Sequence, residues 1–367
     1  MNRIIIIISL IMTMITTTTS AAVKASYDIM PLPASISMQK GEPFMLSSAT
    51  RIVYVGSDEA MKRNAKFLAD YLAQTTGIKL STNAASGKAQ KNTITLCTDS
   101  KMGEEAYRIS VDKKGIVITG GSAKGVFYGI QTLRKSVPVG KTDNIELSAV
   151  RIADQPRFGY RGMMLDCSRH FFTVDFIKKY LDLMAMHNMN VFHWHLTDDQ
   201  GWRIEIKKYP RLTSVGSKRS GTIVGFNSMV DDQREYGGFY TQDQARDIVE
   251  YARQQYITVI PEIDMPGHMK AALAAYPELG CTGGPYEVGH RWGIYLDVLC
   301  LGNEKIYAFC EDVLKELSDI FPAEFVHIGG DETPTERWAE CPKCQAVAKE
   351  HGLTAKTAKA RRVCWCP

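Results

Sequence analysis

The chemistry of this 367-residue chain gathers around one octapeptide, Phe325-Val326-His327-Ile328-Gly329-Gly330-Asp331-Glu332. A short apolar run stops at two glycines and then presents two carboxyl groups. Glycines let the backbone turn sharply and let a second group approach it closely. A carboxylic acid at such a turn can pass a proton to a leaving oxygen and take one back from water. Three other stretches end in similar chemistry: Arg161-Gly162-Met163-Met164-Leu165-Asp166, Thr197-Asp198-Asp199-Gln200-Gly201-Trp202, and Glu262-Ile263-Asp264-Met265-Pro266-Gly267-His268. Carboxylates, a histidine and aromatic rings, without a glycine-rich phosphate loop, suit the cleavage of glycosidic bonds. Successive residues on a strand point to opposite sides. Asp331 and Glu332 are therefore not expected to form the pair ~5–5.5 Å apart that a two-carboxylate retaining enzyme uses. A different class rests on His193-Trp194-His195: alternate histidines on one strand face the same way and suit a metal-dependent barrel hydrolase. That reading needs further ligands at later strand ends, and none is visible.

These residues need a scaffold that brings strand ends together. From Arg161 the chain alternates strand and helix: strand Arg161–Asp166, helix Val174–His187 behind the N-cap Thr173, strand Asn190–Leu196, helix from the capping box Thr241–Gln244 to Gln255, strand Tyr256–Ile263, helix Asn303–Phe321, and a fourth strand from Phe325. Alternating βα units predict a parallel sheet with right-handed crossovers, the order of a barrel, with its chemistry at the C-terminal ends of the strands. Residues 26–150 read instead as a small α+β domain, with a strand at Arg51–Val55, a helix at Ala60–Gln74, a hairpin at Tyr107–Thr119 and a helix at Ser122–Val137. No paired acid or histidine cluster falls there, so it is expected to support the second domain, residues 151–353.

The net charge of +4 does not point to nucleic acid. Arg3, the apolar run Ile4–Met14 and the small residues up to Ala22 predict a signal peptide over residues 1–25, shorter than the ~20 apolar residues of a membrane span. The expected location is periplasmic or extracellular, with no membrane span after cleavage. Of nine cysteines, Cys281 and Cys300 flank one loop and suit a disulfide. Cys341-Pro342-Lys343-Cys344 followed by Cys364-Trp365-Cys366 resembles zinc-ribbon spacing, but the second pair is C-x-C where a ribbon wants C-x-x-C. A disulfide or free thiols therefore rank ahead of zinc.

His327–Glu332 resembles the signature of glycoside hydrolase family 20, the β-N-acetylhexosaminidases. Tyr160–Gly162, His195–Arg203 and Pro261–His268 match in order, and the resemblance covers roughly Ser26 to Gln345. It implies an α/β, TIM-type (β/α)8 barrel after a small α+β domain. The implied activity is exo-hydrolysis of terminal β-linked N-acetylhexosamine from oligosaccharides or glycoconjugates, with no metal and no organic cofactor. It also implies substrate-assisted retaining catalysis, an exception to the two-carboxylate scheme. In that scheme the sugar's 2-acetamido oxygen attacks C1, Glu332 is general acid and then base, and Asp331 orients the acetamide N–H. Arg161 grips hydroxyls of the terminal sugar, and Asp198 with His268 tunes Glu332. A barrel needs eight strands in ~250 residues, yet only four βα steps can be read before Glu332. The residues 354–367 are basic and strandless, and the tyrosine expected to hold the acetamide oxygen has no counterpart. The expectation is a chain carrying the first half of the barrel, with an inactive or merely sugar-binding fragment as the alternative to turnover.

Overall fold

A computed structural model describes residues 22–85, 90–225 and 228–353. The expected signal peptide up to residue 21 and the basic tail from residue 354 lie outside the described residues. The chain forms two compact units, 1–156 and 157–367. Among the described residues no helix is long and apolar enough to cross a membrane.

The first unit is built on a seven-stranded sheet, in the order Ser35–Met38, Val150–Asp154, Tyr107–Asp112, Gly115–Gly120, Thr93–Thr98, Arg51–Val55 and Ser81–Ala85. Tyr107–Asp112 shows why a hairpin forms here: Tyr107, Ile109 and Val111 are buried while Arg108, Ser110 and Asp112 are exposed, the alternation of a strand with one covered face. Helices Glu59–Thr76 and Ala123–Ser136 pack against each other and cover this sheet. Asp58 caps the first, and Ser122 caps the second by accepting from Lys124 and Gly125 N–H groups.

Elements of the second unit are numbered in chain order: β1 (Gly162–Asp166), α1 (Val174–Met186), β2 (Val191–Asp198), α2 (Gln242–Gln254), β3 (Thr258–Ile263), α3 (Lys305–Ser318) and α4 (Pro342–Glu350). β1, β2 and β3 pair in parallel in that order, with Asp166 opposite His195 and His195 opposite Glu262. The polar strand ends are thereby brought level. β2 is buried along nearly its whole length, as a central parallel strand should be. α1 turns Ile177, Leu181 and Met184 inward, and α2 turns Ala245, Ile248 and Ala252 inward. The Thr173 hydroxyl accepts from the Phe176 N–H, and Thr241 and Gln244 close a reciprocal capping box.

The fourth strand expected from Phe325 is reduced to one bridge, Glu262 to His327. His327 N–H donates to Pro261 O, Ile263 N–H to His327 O and Met265 N–H to Ile328 O, each at 3.0 Å. The chain then leaves the sheet at Gly329 (φ +64°) and Gly330 (φ +89°). Among the described residues no strand pairs with its outer edge, so no second ladder extends it. The expected Cys281–Cys300 disulfide is also not formed; both are free thiols.

Candidate active site

The level strand ends assemble a chain of charge whose middle members, Asp198 and His268, are buried. At the end of β1, Asp166 Oδ1 accepts from the Ser168 and Arg169 N–H groups, both at 2.9 Å, and its Oδ2 pairs with Arg169 Nη1 at 3.0 Å. The local turn thus aims the Arg169 guanidinium across to β2, where Nη2 lies 2.6 Å from Asp198 Oδ2. Asp198 also faces His195 Nε2 at 3.2 Å and His268 Nδ1 at 3.2 Å. Burial opposes its ionisation, but these partners win and hold its carboxyl down at about 2. His268 Nδ1 lies 3.0 Å from Asp199 Oδ2 as well. Its hydrogen bonds to Asp198 and Asp199 push the imidazole up to about 11, against the cost of burial. The other ring nitrogen, Nε2, lies 3.5 Å from Glu332 Oε2.

The approach depends on backbone in unusual conformations. His268 (φ +51°) and Glu332 (φ +45°) both occupy the left-handed region, which costs a non-glycine residue free energy and clusters at functional sites. The two glycines of the octapeptide have a specific use. A Cβ on Gly329 would lie 1.9 Å from Asp264 Oδ1, and Gly330 N–H donates to that same oxygen at 3.1 Å. Asp264 is buried, and burial pushes its carboxyl up to about 7 despite that hydrogen bond. The β3 end is therefore the surface on which the Asp331-Glu332 turn is moulded.

A second histidine–carboxylate group lies on the same strands. Glu262 faces His193 Nε2 at 2.6 Å, His195 Nδ1 at 2.7 Å and His327 Nδ1 at 2.9 Å. Burial raises its carboxyl, but the three histidines outweigh that and hold it below the ordinary carboxylate range. His195 belongs to both groups; its hydrogen bonds to Asp198 and Glu262 overcome burial and push it up to about 10.

The structure thus gathers Asp198, His268 and Glu332. It also brings Asp331 in: ligand atoms of His268, Asp331 and Glu332 all lie within 4.8 Å of one another. The expectation that Asp331 and Glu332 point apart assumed a strand through residue 332. The chain turns at Gly329, so strand alternation no longer applies. Arg161 is not brought to the site. It precedes β1, and its guanidinium donates to Asn188 O and Phe158 O, both at 2.6 Å. Those groups sit at the N-terminal end of the parallel sheet, one strand length from Asp166. Arg169 is the arginine that reaches the site, and the i, i+3 spacing of Asp166 and Arg169 behind a strand end was the available signal. Glu262 and His327 were likewise missed as partners of His193 and His195. Trp194 and Trp202 are fully buried and take part in the core.

Beside Arg169 opens a cleft of about 400 Å³, walled by Asp166, Arg169, His170, Gln200, Arg219 and Trp292 among others. Its size falls within that of small-molecule sites. Asp331 and Glu332 are not on its wall; Arg169 links it to the charged chain through Asp198. Behind it the fully buried Arg203 donates to Ser168 O, Gln200 O, Ser217 O and Gly238 O. It ties the loop after β1 to the loops after β2.

A parallel sheet with acids and histidines converging at its C-terminal edge is the arrangement in which α/β-barrel proteins carry their sites. Comparison with known proteins gives the lineage. The glycosyl hydrolase family 20 catalytic-domain profile matches residues 158–363, and the domain 2 profile of the same family matches residues 26–155. The chain belongs to glycosyl hydrolase family 20, whose fold is an α/β barrel catalytic domain preceded by a small domain. It is 44% identical over 334 residues to a beta-hexosaminidase of Porphyromonas gingivalis, covering 89% of this chain and 41% of that one. Its structure resembles that of a GH20 exo beta-N-acetylglucosaminidase from Vibrio harveyi in complex with N-acetylglucosamine (TM-score 0.76, 34% identity, 91% of this chain and 51% of that one). A mutant Streptomyces plicatus beta-hexosaminidase in complex with product GlcNAc is similarly close (TM-score 0.75, 36% identity, 88% and 62%). The chain spans about two fifths of the length of the curated relative.

Proposed function

We propose that this chain hydrolyses terminal, non-reducing β-linked N-acetylhexosamine from glycans by substrate-assisted retaining catalysis. The reading rests on one observation: the chain that runs from the half-buried Arg169 through the buried Asp198 and His268 ends on Glu332, with Asp331 alongside. Glu332 is the half-exposed end of that chain, so it is the group a substrate can reach. It protonates the glycosidic oxygen as the bond to C1 breaks. The acetamide oxygen of the same sugar closes on C1 to give an oxazolinium ion. Glu332 then takes a proton from the water that opens the ring. Asp331 accepts from the acetamide N–H and offsets the positive charge that develops there. Because the nucleophile belongs to the substrate, its effective molarity reaches ~10⁵–10⁸ M in good geometry. His268 holds Glu332 in place, and its own charge is already met by Asp198 and Asp199. The complexes of the solved relatives with N-acetylglucosamine support this substrate class.

The test is turnover of an aryl N-acetyl-β-glucosaminide by the purified chain. Glu332→Gln is expected to lower kcat by ~10²–10⁴-fold, and the matching aryl β-glucoside, which lacks the acetamide, is expected to be a poor substrate. Two outcomes overturn the proposal. One is no turnover by the unaltered chain, with N-acetylglucosamine still bound, which makes it a sugar-binding fragment. The other is equal turnover of the glucoside, which removes substrate assistance.

A further inference from the structure

A cluster of sulfur atoms lies apart from both histidine–carboxylate groups. Cys281 and Cys300 stand at the two ends of a loop that closes through an antiparallel bridge between Gly280 and Leu299. Cys341 is the N-cap of α4, and Cys344 lies in its first turn. The closed loop brings the first pair together, and the helix start presents the second. Cys281 Sγ lies 3.7 Å from Cys344 Sγ, Cys300 Sγ 3.7 Å from Cys341 Sγ, and Cys300 Sγ 3.6 Å from Cys344 Sγ. All four sulfurs fall within 4.8 Å of one another. Zinc bonded tetrahedrally to sulfur at ~2.3 Å spaces its ligands about 3.8 Å apart. Two disulfides would instead pair the sulfurs off at ~2.05 Å. Here Cys300 and Cys344 each meet two sulfurs at nearly equal spacing, so no pairing is preferred.

The surroundings are built to hold this arrangement. Cys300, Cys341 and Cys344 are buried, with Leu301 and Trp338 packed against them. A Cβ on Gly302 would lie 2.2 Å from Lys343 C and 2.5 Å from Cys344 N. Only glycine lets the loop lie this close to the helix start.

We propose that Cys281, Cys300, Cys341 and Cys344 form a structural tetrathiolate zinc site. Four protein ligands leave no open position, so the ion takes no part in bond cleavage. The pair Cys341 and Cys344 is the one its spacing singled out, and its partners in this site come from the preceding loop; Cys364 and Cys366 lie outside the described residues. The ion fastens α4 to the loop after β3. Between Glu332 and α4, Trp338 Nε1 donates to Leu299 O and Arg337 Nε pairs with Asp297, both at 2.8 Å. The zinc site therefore closes the frame in which the segment after Glu332 is held.

The test uses the full chain, produced with added zinc and purified without chelator. Elemental analysis is expected to find about one zinc per chain, lost in Cys341→Ser/Cys344→Ser and kept in Cys97→Ser. Because the double variant can fail to fold, a second measurement uses the unaltered chain. Titration with a mercurial is expected to release zinc as four thiols react. Replacement by Co²⁺ is expected to give the intense thiolate-to-metal absorption of a tetrahedral sulfur site. Disulfides among these four cysteines in peptide mapping overturn the proposal, as does stoichiometric iron in place of zinc. So does zinc retained by the double serine variant, which would place the ion elsewhere, for instance at His193, Glu262 and His327.

Discussion

Two histidine–carboxylate groups stand side by side on β2 and β3, made from the same side-chain types but wired differently. Glu262 is a closed hub: three imidazoles converge on one buried carboxylate. The group at Asp198 and Asp199 is a line. It starts at Arg169, passes through His268 and ends on Glu332, whose side chain is 55% exposed. In the hub each histidine turns a ring nitrogen to Glu262, so the group ties β2, β3 and the His327 segment together. The line keeps one end open, and that end is where chemistry can occur. The difference comes from backbone, not from composition. His268 and Glu332 leave the strands in the left-handed conformation, whereas His193, His195 and Glu262 stay on them.

The largest effect is expected from breaking the hub. Glu262→Gln leaves His195 without its second anion, and removal of one partner from a buried ion pair costs ~3–5 kcal/mol. The effect depends on pH in a defined sense. The Glu262 carboxyl is depressed, so its contribution is present above the ordinary 4.5 and is lost as pH falls below it. His195 is raised from 6.5 to about 10, so its contribution is full below 6.5 and is lost as pH climbs towards 10. The loss in urea midpoint, at unchanged slope, is therefore expected to be larger at pH 6 than at pH 9. A loss below about 1 kcal/mol at pH 6, the range of an exposed pair, would show that the hub is not ionic.

Breaking the line is expected to cost catalysis more than folding. His268→Gln keeps a hydrogen-bonding side chain but cannot carry the charge shared with Asp198 and Asp199. A fall of about 100-fold in kcat, ~2.7 kcal/mol in the barrier, is expected with KM little changed. A purely structural histidine would lower the folded fraction and leave the pH profile of the remaining activity unmoved. The positioning role predicts a shifted profile, because the group facing Glu332 has changed. An unshifted profile with kcat restored at lower temperature would refute it.

The line was partly legible in the sequence, and the hub was not. Thr173 and the Thr241–Gln244 box marked the helix starts because capping is local chemistry. Asp198, His268 and Glu332 stood out because each follows a strand, and parallel strands end together. What could not be read was anything set by direction. Arg161 and Arg169 flank the same strand at opposite ends, and only the Asp166 turn decides which guanidinium reaches Asp198. Asp331 and Glu332 were assigned to opposite faces by strand periodicity, which fails once the chain turns at Gly329. His327 joined no expected group because its partner, Glu262, is set by register between β3 and a segment that pairs through a single bridge. Register and turn direction are tertiary properties, and periodicity carries neither.

The smallest expected effect lies where hub and line meet the glycine turn. Asp264 is a buried carboxyl pushed from 3.8 up to about 7. The sign is the reverse of that for Glu262. The folded chain holds this proton more tightly than the unfolded one, so stability falls as pH rises from 3.8 to about 7 and stays reduced above that. Asn at this position carries no charge at any pH, and its Oδ1 can still accept from the Gly330 N–H. Asp264→Asn is therefore expected to raise Tm by a few degrees at pH 8, about 1 kcal/mol, and by less at pH 5. An equal gain at both pH values would mean that packing and not charge is responsible. A loss at pH 8 would mean that Asp264 is ionised in the fold, held there by the Gly330 amide, and that the turn bearing Asp331 and Glu332 is anchored by a charge.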